Sequence, residues 1–346
     1  MKRRKFTIPL AVLAIIAAIV IAVLLRKAAP PEPVRLLPEA QAYVYLNLKP
    51  LRRADLLQKM PPVQLDADYD QFVKETGFQF ERDLEEAAIA VHAQSMGTQG
   101  GVENRYSEVV VAHFDGQRVR TYLQKLAKTT EQYNQREIFD ISHETRTVRV
   151  CILGPDLVAI SNTDDPENIR GVIDRYRKLA LPFGGPTLVR EHYRKLPFGT
   201  LAWAIADVAR GSSHNKPFIL PGGFDLFFPP DTVMVASIRY LGSIDLRIQA
   251  LTTSEEAARR ITDQLNAFFG LFRTLEINAT GPDPDVKNFF DSIKIEQDGE
   301  KAELTANLPK GFLKKLLTEP PPEVAPPAPA PEAAKPQPKH HHKRHR

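Results

Sequence analysis

Residues 42–48 read AYVYLNL and residues 202–208 read AWAIADV, and each run is approached through a Leu-Pro pair, Leu37-Pro38 and Leu196-Pro197. Both are rich in β-branched and aromatic residues and end on a polar–apolar pair, Asn47-Leu48 and Asp207-Val208. That composition predicts two strands. Lys49-Pro50 closes the first of them.

The segments downstream of each run decide the fold class. After the first, Leu51 to Met60 has helical spacing until Pro61-Pro62, and Asp66 to Thr76 forms a second short helix closed by Gly77. Ala87 to Ala93 and Tyr106 to Phe114 read as strands on either side of a polar, glycine-rich loop, Gln94 to Arg105. Asp115 is placed to cap a helix from Gln117 to Lys128. Arg146 to Leu153 and Leu157 to Ser161 form a hairpin through Gly154-Pro155-Asp156, and Pro166 to Lys178 is a helix opened by proline.

After the second run the order recurs. Thr232 to Tyr240 and Ser243 to Leu251 are strands joined at Leu241-Gly242, and Thr253 or Ser254 caps a long helix to Leu271. Ile293 to Gln297 and Lys301 to Asn307 pair across Asp298-Gly299, and Pro309 opens a last helix to Leu317. Strand, insert, two strands, helix, hairpin, helix therefore occurs twice, which reads as an internal repeat. The expected fold is α+β, with two related units at residues 36–180 and 196–318, each an antiparallel sheet with helices on one face. Residues 181–195 are the linker, and the segments overlapping its two ends, YRKLALPFGG from Tyr176 and YRKLPFGT from Tyr193, read as linker turns.

Upstream of the repeat lies IPLAVLAIIAAIVIAVLL, Ile8 to Leu25, eighteen residues without a charge. As a helix it spans roughly 27 Å, enough for one membrane crossing. It is longer than a cleaved signal core, and Arg26-Lys27 follow it directly, so it reads as an uncleaved anchor. Lys2, Arg3, Arg4 and Lys5 outnumber Arg26 and Lys27, which places the N-terminus in the cytoplasm and the body outside. Residues 1–27 are thus a basic cap and anchor, and 28–35 a proline-stiffened spacer.

The formal net charge is +4 and the pI about 9.0. The excess of Lys and Arg sits around the anchor and in the tail, leaving a mildly acidic body that argues against nucleic acid. Cys151, the single cysteine, lies in an apolar strand and admits no intramolecular disulfide. With the anchor, the Leu-Pro lead into AYVYLNL and the repeated order in view, the chain resembles bacterial single-pass membrane-anchored proteins of unknown function with a duplicated α+β extracytoplasmic region. The resemblance covers the layout of residues 1–318 and implies no catalytic residue.

No catalytic pattern stands out: there is no G-x-S-x-G, H-E-x-x-H, Walker loop or dinucleotide fingerprint. His92, His113, His143, His192 and His214 are scattered at no ligand spacing, so neither a metal nor a cofactor is expected. Asp83, Glu85 and Glu86 read as a solvated face. Two stretches remain as contact candidates. ARGSSHNKPFILPGGFDLFFPP, residues 209–230, carries Phe218, Phe224, Phe227 and Phe228, which either fold back on the sheet or contact a partner or lipid. Residues 319–346 form a Pro-rich tail ending in Lys339, Lys343, Arg344 and Arg346 among histidines. It is a contact for an anionic envelope polymer or headgroup, an adventitious metal binder, or a solubilising end.

The function these features predict is non-enzymatic binding or scaffolding of an envelope protein or polymer outside a bacterial plasma membrane. An enzyme assembled from distant residues and a lipid-binding module are the alternatives. Converging carboxylates or histidines in a deep pocket would mark the enzyme, and an open apolar cavity between sheet and helices the lipid binder.

Overall fold

The computed structural model describes residues 29–53, 67–96, 101–143, 146–178, 184–208, 228–229, 231–240, 243–279 and 284–309. The apolar run at 8–25, Phe218, Phe224, Phe227 and the whole 310–346 tail, with Lys339, Lys343, Arg344 and Arg346, lie outside the described residues. No helix among the described residues is long and apolar enough to cross a membrane.

The fold is α+β around one antiparallel sheet. In chain order the strands are β1 (Ala42–Asn47), β2 (Leu84–Met96), β3 (Gly101–Ala112), β4 (Thr129–Tyr133), β5 (Arg136–His143), β6 (Arg146–Ile152), β7 (Leu157–Ser161), β8 (Thr200–Asp207), β9 (Val233–Tyr240), β10 (Ile244–Leu251), β11 (Lys294–Asp298) and β12 (Lys301–Leu308). The helices are α1 (Glu32–Leu36), α2 (Lys49–Arg53), α3 (Ala67–Thr76), α4 (Phe80–Asp83), α5 (Gly116–Leu126), α6 (Glu167–Arg177), α7 (Thr187–His192), α8 (Glu255–Ala279) and α9 (Pro284–Ser292).

The twelve strands are ordered β11-β12-β10-β9-β8-β1-β2-β3-β7-β6-β5-β4. The two expected sheets are therefore one, joined where β1 pairs with β8, Tyr45 opposite Trp203 and Val44 opposite Ala204. An apolar strand such as AYVYLN cannot be left at an edge with its backbone groups open, and the partner run satisfies it.

Each strand sends alternate residues to opposite faces. One face carries Tyr43, Tyr45, Ala88, Val109, Ala159, Trp203 and Ile205 under α1, α6 and α7, whose Val34, Ile173 and Val189 have no exposed surface. On the opposite face the described helices lie at the two ends, while Ala42, Val91 and Ala206 are buried between them. At those ends α5 lays Leu123 on Phe139 and Val150, and α8 lays Ile261 and Leu265 on Ala250 and Ala302. The first half thus has helices on both faces rather than one, because β5, β6 and β7 are apolar on both sides and each side needs cover.

Other expectations shift in detail. The spacer at 28–35 is not a free stalk: Pro33, Val34 and Leu36 are buried in α1, and Arg175 Nε donates to the Leu36 carbonyl at 2.6 Å. The linker at 181–195 carries α7, with Leu188 and Val189 in the core. The loop at Gln94–Arg105 is mostly strand, since β2 runs to Met96 and β3 starts at Gly101. The caps hold as read: Asp115 accepts from the Gln117 and Arg118 amides, and Gly77 closes α3 at φ 75°.

Candidate functional site: an apolar cavity under α8 and α9

The second half builds a hollow between sheet and helices. Leu246, Ile248 and Ala250 of β10 share a face with Met234 of β9 and with Ala302, Leu304 and Ala306 of β12, as the cross-strand register requires. The alanines leave the floor low. Above them α8 contributes Leu265 and Phe269, and α9 contributes Phe289. The end of α9 is fixed to the sheet because the Asn307 amide donates to Ser292 Oγ at 2.9 Å. Asn307 Nδ2 in turn donates to Asp245 Oδ1 at 2.9 Å and Ser243 Oγ at 2.8 Å. The space enclosed is about 300 Å³, opens to the surface and is lined almost wholly by carbon.

Phe228 stands in this lining and packs against the cluster of Ala250, Ile261, Leu265 and Ala302. Of the four phenylalanines singled out in sequence it is the one within the described residues, and it is half-buried. The remaining walls were missed because their spacing is that of any half-buried strand. Their one shared signal is the small residue at Ala250, Ala302 and Ala306 opposite a phenylalanine-rich helix.

The floor continues beyond the roof. Register places Ile248, Ala236, Ala204, Val44, Ile89 and Glu108 in one row across six strands, about 24 Å at roughly 4.8 Å per strand. Val44 is 38% and Ile238 37% exposed in this stretch between α5 and α8. Glu108 is the carboxylate in the row, and burial raises its pKa.

The polar clusters elsewhere are paired with neighbours, and Lys49 and Glu86 also line a cavity of about 360 Å³ with Tyr45 and Asp156. His92 Nε2 lies 3.0 Å from Ser107 Oγ, Ser107 3.3 Å from Ser161, and Ser161 2.8 Å from Thr163 Oγ1. Burial holds the imidazole at about 4, and Ser107 has no exposed surface, so this is a hydroxyl ladder in the core and not a nucleophile with its base. Asp83, Glu85 and Glu86 are not a solvated face. Asp83 is buried and paired with Arg82, while Lys49 bridges Glu85 and Glu86 at 3.0 and 2.7 Å. Burial opposes ionisation of Glu303, but hydrogen bonds from Arg247, Gln249 and Lys301 overcome it and hold the carboxyl at about 2. Cys151 is buried, which pushes its thiol up to about 12. Among the described residues no group of three His, Cys, Asp or Glu is arranged to hold a metal.

No family model and no curated protein matches the chain. Among solved structures it is similar to crystal form III of TP0453, at 10% identity and a TM-score of 0.44, covering 83% of this chain and 97% of that one. Crystal form I of TP0453 gives 10% identity and 0.44 over 84% and 97%, and crystal form IV 10% and 0.41 over 85% and 99%.

Proposed function

We propose that this protein is an extracytoplasmic, membrane-anchored binding protein of the bacterial envelope that takes an apolar chain, the acyl part of a lipid, into the cavity beneath α8 and α9. The observation that carries this is the lining: a pocket with carbon walls offers no group to orient a polar substrate or activate water, while each methylene it takes from water gains about 0.8 kcal/mol. Ile8 to Leu25 would hold the body at the bilayer, and the Lys339–Arg346 end would meet an anionic polymer or headgroup. Envelope protein partners remain the competing occupant.

A fluorescent acyl-chain probe titrated onto the protein tests the reading. Saturable binding is expected, weakened at least tenfold by Ala306→Phe, which fills the cavity, and altered in chain-length preference by Phe269→Ala, which enlarges it. Binding indifferent to both substitutions in folded protein would remove the cavity as the site. For topology, a periplasm-active reporter fused after Pro338 is expected to be active, and a stable but inactive fusion would reverse the orientation.

We further infer that the two halves derive from one duplicated unit. Support comes from the strand order outward from the centre: β1-β2-β3 on one side and β8-β9-β10 on the other, with the hairpin β6–β7 returning beside β3 and the hairpin β11–β12 beside β10, the first half adding β4 and β5 outside it and the second half a second helix before it. Aligning AYVYLNL on AWAIADV equates Val44 with Ala204, and these two residues are partners in the β1–β8 pair, as a local two-fold axis between equivalent strands requires.

A further inference from the structure

We propose that the end of the sheet carrying Phe198 lies against the membrane, with the lipid bilayer itself as the partner. This rests on Ile8 to Leu25 being the anchor and goes beyond it by giving the body an orientation.

Phe198 is 87% exposed, the most exposed large apolar side chain among the described residues. It is held out by a built turn rather than a loose one. Gly199 has φ 77°, a conformation suited to glycine; Thr200 Oγ1 donates to the Pro197 carbonyl at 2.6 Å; and the Leu196 amide donates to the Tyr193 carbonyl at 3.1 Å. Tyr193 backs the turn, edge-on to the buried Trp203 at 5.8 Å. Arg194 and Lys195, both exposed, flank it. An aromatic ring beside two cations is the side-chain set that settles at the headgroup level of a bilayer.

Chain geometry puts this turn near the anchor. Pro31 and Phe198 line the same cavity of about 350 Å³. Three residues beyond Pro31 the chain is locked into the core, Val34 having no exposed surface. Leu25, the last residue of the apolar run, is six residues before Pro31, which even fully extended span about 20 Å. Pro31, across one cavity from Phe198, is therefore tethered within that distance of the point where the anchor ends. The β11–β12 turn at Gly299–Glu300 lies at the opposite end of the strands, since Thr200 pairs with Arg239, the Ile244 end of β10 with Leu308, and Lys301 with Leu251 at the far end.

The full chain gives a clean test because Cys151 is buried, so an introduced cysteine is the accessible one. Phe198→Cys and Glu300→Cys, each labelled with an environment-sensitive fluorophore, are reconstituted into phospholipid vesicles containing a spin-labelled lipid as quencher. The expected result is flotation of both proteins with the vesicles and at least threefold stronger quenching at position 198 than at 300. Flotation with equal quenching, or stronger quenching at 300, overturns the orientation and leaves the anchor standing. Absence of flotation overturns the anchor, and the orientation with it.

Discussion

Tyr43 has no exposed surface, and its hydroxyl accepts from the Ala40 amide at 2.5 Å while donating to the Pro38 carbonyl at 3.0 Å. That one side chain ties the Leu37-Pro38 approach to the strand it leads into. Tyr43→Phe leaves a buried amide and a carbonyl without partners, and we expect a loss of about 1–3 kcal/mol in urea unfolding at pH 7, with the fold retained. His92 makes a different kind of contribution. Unfolded, it takes up a proton near 6.5; folded, burial delays this to about 4. Between those values the unfolded state binds more protons, so stability must fall as pH falls through this window, by about 2–3 kcal/mol from this residue. His92→Gln is expected to flatten that part of the profile, measured as unfolding midpoint against pH.

At the scale of elements, the hairpin of β4 and β5 turns at Asn134-Gln135, both with positive φ, 48° and 64°. This backbone suits Asn-Gly far better than Asn-Gln. Gln135→Gly is expected to raise stability by about 0.5–1 kcal/mol, read from the thermal midpoint. The same two residues explain why this hairpin is silent in the sequence: the turn lacks its usual glycine, and the edge strand TTEQY is polar throughout. Elements with local chemistry were legible, such as α5 behind its Asp115 cap and the β11–β12 pair around Gly299 at φ 57°. The ends of β2 and β3 were not, because Gln94 to Arg105 is polar and glycine-rich and shows no alternation of apolar residues. For the site, Phe228 was readable as an apolar residue in an irregular segment. The hollow it enters depends on three alanines meeting two helices, a coincidence of elements distant in the chain.

For the molecule as a whole the seam between β1 and β8 is the critical contact. A chain ending at Lys178 lacks β8 and leaves β1 as an open apolar edge at the middle of what had been the sheet. Such a fragment is expected to self-associate through that edge, visible as dimers or larger species in size-exclusion chromatography coupled to light scattering. A well-folded monomer would show that the first half closes its own sheet and that the seam is docking rather than completion.

The same seam imposes a waiting time on the newborn protein. β8 starts roughly 150 residues after β1 ends, and at ~5–20 residues per second that is about 8–30 s of synthesis during which β1 has no second neighbour. Pairing two strands so far apart in the chain also makes for slow refolding, since the loop between them must be closed before the contact repays it. A chain that crosses a membrane as it is made would meet that interval on the far side, where a holding chaperone or a neighbouring nascent chain is the first surface available to the exposed edge.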